Sequence, residues 1–138
     1  MTIPLFPEAQ QRPKGKALLA ATIASALAFG VSLLPPTLII QVLKLVAKGS
    51  ARSTQKDAME SRLAACAVSV RSAGNGCLQR SIAVFLLCRM SGTTPDWCTG
   101  FLNRPFIAHA WVEVDGEPVG EVAEIADYTT ILALRPHT

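Results

Sequence analysis

Two residues set the chemical question. Cys77 follows Gly74-Asn75-Gly76 and opens the apolar stretch CLQRSIAVFLLCR. His109 stands in FIAHAWVEVD, where residue types alternate with the period of a strand. A cysteine at a helix N-terminus meets unpaired backbone N–H groups and the positive end of the helix dipole, and both favour a thiolate. The same N–H groups could receive an oxyanion. The chemistry to expect is nucleophilic: thiolate attack on an acyl carbon, with an imidazole to move the proton. Cys66 and Cys88 lie inside apolar helical stretches and Cys98 in a short strand, so these three read as buried, inert thiols. His137 is too close to the end of the chain to be placed in an element.

A histidine in such a site needs an orienting group, and the hairpin after it decides which one it meets. Asp115-Gly116 is a strong turn signal. With a two-residue turn, residue 114 pairs with 117 and His109 faces Val122. With a three-residue loop, Val114-Asp115-Gly116, residue 113 pairs with 117 and His109 faces Glu121. A carboxylate there would hold the imidazole tautomer and stabilise its charged form. The sequence leaves the register open; the three-residue version is the one with chemical sense. Asp115 is the rival acid, although in the turn its side chain is better suited to capping the loop.

The elements that must position these groups follow from the pattern. Half of the 138 residues are apolar and 17% are charged, which suits one packed domain with extra helix. Basic residues exceed acidic ones by 13 to 10, too few and too scattered for nucleic acid. No CxxC or CxxH pair occurs among the four cysteines, so neither a metal nor another cofactor is expected, and the thiols read as reduced. Residues 1–16 carry three prolines and read as a loose arm. The uncharged run 17–34, ALLAATIASALAFGVSLL, reads as a first helix ended by Pro35-Pro36. It is open to three readings: a short membrane span, a signal segment with ALA at 26–28, or a helix packed on a core or partner. A second helix is expected over 37–48 with Thr37 as N-cap, and a third over 57–73, with Glu60, Arg62, Ser69 and Arg71 outside its apolar positions. GNG at 74–76 is a turn, and a buried helix runs from Cys77 to about Met90. Strands follow at 97–101, at 106–114, at PVGEV, and finally at TTILAL. Helices first and an antiparallel sheet after them make the class α+β, with an N-terminal part at 1–56 and a core at 57–138.

CLQRSIAVFLLCR followed by AHAWVEVDGEPVGE resembles the stand-alone leader peptidases of lasso-peptide biosynthesis, small bacterial transglutaminase-like cysteine proteases. SLLPP fits the helical beginning of such proteins, which favours the packed reading of 17–34. The resemblance implies a papain/transglutaminase-like core with Cys77 as nucleophile, His109 as general base and the acid position on Glu121, where family members carry Asp. It implies no cofactor. Arg80 would be structural or partner-docking, and Trp111 would shield the site or line a groove. The implied substrate is the leader–core junction of a ribosomally made precursor peptide. The implied partners are a small winged-helix-like leader-binding protein and an ATP-dependent cyclase. The expected location is the cytoplasm, with membrane association through 17–34 as the alternative.

Overall fold

The computed structural model describes residues 14–69, 76–121 and 123–138. The arm at 1–13, residues 70–75 with the end of the expected 57–73 helix and most of the expected 74–76 turn, and Val122 therefore lie outside the described residues. The elements run α1 (Lys16–Ser32), α2 (Pro36–Val46), β1 (Ala51–Arg52), α3 (Gln55–Val68), α4 (Cys77–Met90), β2 (Thr93–Thr94), β3 (Asp96–Asn103), β4 (Phe106–Val114), β5 (Glu117–Pro118), a 3-10 turn (Ala123–Asp127) and β6 (Thr129–Leu134). This is the expected α+β order.

Two helix starts differ from expectation. Pro36 is the first residue of α2, and Thr37 is not its cap; a proline at the first position has no N–H to leave unpaired. The third helix begins earlier, because Thr54 and Asp57 form a capping box in which each side chain accepts from the other's backbone N–H.

Everything packs around α4. Its side chains from Gln79 to Cys88 are buried on every side. Ala21, Ala24 and Ala28 of α1, Ala58 and Ala65 of α3, and Ala110, Val112 and Val114 of β4 share its core. Burying Ile82, Phe85, Leu86 and Leu87 contributes about 1.5–3 kcal/mol each. Trp97 is also buried, and its indole N–H donates to Ser81 Oγ at 2.9 Å, tying β3 to α4.

The sheet has the order β5-β4-β3-β6 and is antiparallel throughout. A separate parallel pair, β1 with β2, joins the stretch before α3 to the stretch after α4. β4 uses its two faces as the alternation requires. Ala110, Val112 and Val114 belong to the core around α4, while His109, Trp111 and Glu113 lie on the other face.

The hairpin corrects the register. Val114 pairs with Glu117 and Glu113 with Pro118, so the turn has two residues and the three-residue loop is not formed. Asp115 (φ 54°) and Gly116 (φ 81°) are both left-handed, as a type I′ turn demands. The return strand is short. After Val119, whose N–H donates to Val112 O at 3.0 Å, Gly120 takes φ 69° and leads the chain out of the ladder.

Candidate active site

Cys77 is the first residue of α4, and its N-cap is Gly76, which offers no side chain to the first turn. The Arg80 N–H is already taken by Gly76 O at 2.8 Å, and the N–H groups before it are the ones a ligand could meet. The half-buried Cys77 thiol interacts directly with the His109 imidazole and with the Ala110 backbone. Its charge balance is clear in direction. Burial pushes the thiol up, but the hydrogen bonds from His109 and Ala110, with the charges of His109 and Arg80, bring it below its ordinary value.

His109 uses its other side for the acid. Nε2 lies 2.6 Å from Glu121 Oε1, which leaves Nδ1 as the nitrogen for the thiol. Burial alone would lower the imidazole pKa. Hydrogen bonds to Cys77 and Glu121, with their negative charge, outweigh burial and raise it to about 9. Each shift favours the charged form of its group, the thiolate of Cys77 and the imidazolium of His109.

Glu121 reaches His109 by a route the sequence did not suggest. It is not a cross-strand neighbour. Gly120 turns the chain, and Glu121 swings in under the imidazole, where its side chain is almost fully buried. Arg62 of α3 meets it from the opposite side, Nη1 to Oε2 at 3.4 Å. Arg62 is a correction to the sequence reading: it is buried beneath the site and does not decorate the surface of α3. Its guanidinium lies against Gly120, so closely that a side chain at 120 would collide with it. The left-handed φ and the close approach thus both require glycine there.

The remaining supports are aromatic. Trp111 stacks on His109 with centroids 5.9 Å apart and an angle of 18°. Tyr128, which drew no notice in the sequence, sits 5.9 Å from His109 and edge-on to Trp111. Trp111 is held in turn: its N–H donates to Glu113 Oε2 at 2.8 Å, and Glu113 Oε1 accepts from Arg135 at 3.0 Å. A cleft of about 530 Å³ opens beside Trp111, Tyr128 and Glu121. Cys77 does not line it.

Cys77, His109 and Glu121 are therefore brought together, whereas Asp115 is not. Asp115 is exposed in the turn and pairs with Arg52 at 2.8 Å. His137 contacts Thr94 Oγ1 at 3.0 Å, away from the cluster. All four cysteines are free thiols. Burial pushes Cys98 up to about 12 and raises Cys88, so neither is prepared to ionise. Among the described residues no group of three His, Cys, Asp or Glu side chains could hold a metal ion, and no helix is long and apolar enough to cross a membrane.

A family model described as Transglutaminase-like superfamily matches residues 21–133. No curated protein and no solved structure matches the chain.

Proposed function

The chain belongs to the transglutaminase-like superfamily, and from that premise we propose that it is a cysteine peptidase that removes the leader from a ribosomally made lasso-peptide precursor. The observation that carries the reading is the ordered contact of Cys77 with His109 and of His109 with Glu121, at the open N-terminus of a buried helix. The lasso-peptide part rests on the resemblance of CLQRSIAVFLLCR and AHAWVEVDGEPVGE to the leader peptidases.

The chemistry follows from the residues. The Cys77 thiolate attacks the carbonyl carbon of the scissile amide. The oxyanion that forms faces the free N–H groups at the start of α4. Imidazolium His109 gives its proton to the departing amine, and a thioester remains on Cys77. Neutral His109 then takes a proton from water, and the resulting hydroxide attacks the thioester. This releases the acid and restores the thiolate–imidazolium pair. Glu121 holds the ring throughout and balances its positive charge. The partners in this reading are the precursor peptide, a small winged-helix-like protein that grips the leader, and the ATP-dependent cyclase that acts on the product.

The test is to incubate the protein with a candidate precursor and its leader-binding protein and to read the products by mass. Cleavage into leader and core, absent with Cys77→Ala, is expected. Intact precursor under every condition would remove the reading. A primary amine added to the reaction separates hydrolysis from acyl transfer, since an amine-capped product would make the protein an acyltransferase.

A further inference from the structure

α1 is built inside out. Its buried positions, Ala21, Ala24, Ser25 and Ala28, are small and lie on the face turned to α4. Its large aliphatic residues point the other way. Leu19, Ile23 and Leu27 recur every fourth position, which at 100° per residue makes one stripe opposite the alanines, and Leu33 continues it past the helix end. Leu19 is 61% exposed, Leu27 54% and Leu33 71%. Leu38 and Leu45 of α2 are exposed as well. A surface helix ordinarily turns polar residues to water. Here no charged residue interrupts positions 17–43, and the stripe is uncharged from end to end.

Among the described residues, the charged side chains that flank this run in sequence are basic. Lys14 and Lys16 precede the stripe, and Lys44 and Lys48 lie on and just after α2; all four are exposed. Positions 14–51 hold no Asp or Glu. Asp57 and Glu60 share a small cleft with Ala17 and Ala20, where α1 meets α3. A face of aliphatic side chains flanked by lysines can enter the headgroup–acyl boundary of an anionic bilayer while the ammonium groups meet its phosphates. Protein interfaces are poor in lysine, and Phe29 is the aromatic residue that α1 exposes. α1 is too short and too weakly apolar to cross a bilayer, but its inner face is already anchored, so its outer face is preformed.

We propose that the outer face of α1, with Lys14, Lys16, Lys44 and Lys48, docks on the surface of an anionic lipid bilayer. The leucines and Ile23 enter the headgroup–acyl boundary, and the ammonium groups meet lipid phosphates. This face is separate from the Cys77 site, and the inference stands independently of the peptidase reading.

The test is co-sedimentation of the full chain with two sets of vesicles, phosphatidylcholine alone and phosphatidylcholine mixed with phosphatidylglycerol. No substrate is present, so peptidase activity has no bearing on the result. Binding to the anionic vesicles is expected to be at least about tenfold tighter and to weaken with added salt. The variant Leu19→Ser/Ile23→Ser/Leu27→Ser is expected to bind at least about tenfold less tightly. Its far-UV circular dichroism should be unchanged, because the replaced side chains face outward. Lys16→Glu with Lys44→Glu, a substitution that leaves the apolar stripe intact, is expected to abolish the preference for anionic vesicles. Wild-type protein that stays in the supernatant with both vesicles overturns the proposal. So does equal binding to both. A dimer in vesicle-free solution that the stripe variant loses, with no vesicle binding, would assign the face to a second copy of the chain and also overturn it. Loss of partner-dependent cleavage by the stripe variant, again with no vesicle binding, would assign it to a protein.

Discussion

Cys77 and Cys88 stand near opposite ends of the same helix, and their environments drive their thiols in opposite directions. At the N-terminus, Cys77 has His109, the Ala110 backbone and the charge of Arg80 to offset its burial, and its pKa falls. Near the C-terminus, Cys88 has Ser61 and Ser53 hydroxyls as partners and the charge of Asp57 nearby, and burial wins. Both thiols lie in a largely apolar helix. The difference lies in which end of the helix each occupies and which element crosses it there. A buried thiol becomes a nucleophile only where a cation and free N–H groups come with it.

The largest expected break in this contrast is Cys77→Ala. Precursor cleavage should fall by at least about 10³-fold, while Cys88→Ala should retain full turnover and cost about 1 kcal/mol of stability. Precursor cleavage measured for both variants, with thermal melting for the second, checks this. Equal losses would abolish the distinction between the two ends.

Glu121→Gln comes next. It keeps the size of the side chain but removes the charge that raises His109, so activity should fall by about 10²-fold and the imidazole pKa should drop. A kcat/KM profile against pH reads both effects. In the wild type the profile should be a bell. Its acid limb is the protonation of a thiolate held below the ordinary value, and its alkaline limb is the loss of the His109 proton near 9. In the variant the alkaline limb should move to lower pH.

The same pair carries a stability signature. The folded pKa of His109, about 9, lies above its unfolded value of 6.5. Its stabilising contribution is therefore complete below pH 6.5 and is lost as pH rises through about 9. The lowered Cys77 thiol contributes in the opposite sense as pH rises toward 9, so the His109 contribution is read as the difference in stability between the wild type and Glu121→Gln in chemical denaturation at a series of pH values, a difference that should shrink as pH rises through about 9.

The smallest expected effect on rate, about tenfold, belongs to Arg62→Met. That side chain meets the acid, Nη1 to Oε2 at 3.4 Å. Stability should fall further than rate, on the order of 3 kcal/mol, because a buried carboxylate loses a cationic neighbour. A kcat loss as large as that of Glu121→Gln would make Arg62 an equal member of the cluster.

Much of the architecture was legible. The alternation of β4, the all-round apolar run of α4, the break at Pro35-Pro36, and the order of helices before strands are local properties, and they survive in the fold. Cys77 at a helix start and His109 on the outward face of a strand were readable for the same reason. The hairpin shows where that reading failed. Asp-Gly correctly marks the turn, yet of the two registers left open by the sequence the one with chemical sense, the three-residue loop, is not the one formed. The β4–β5 ladder does not run as far as His109. Gly120 ends it, and the acid arrives from beyond the strand.

What the sequence determined by itself is the set of short-range choices: which segments are helical, which alternate, where the turn falls, and which cysteine opens a helix. These depend on propensities and periods within a few residues. The tertiary structure decided which acid meets the imidazole, that Arg62 lies buried beneath it, and which face of α1 is left outside. The first two depend on contacts between residues far apart in the chain, Arg62 and Glu121 being 59 positions apart. Such contacts are set by the joint packing of α3, α4 and the sheet. No local pattern encodes them, because the energy that selects them exists only once those elements have come together.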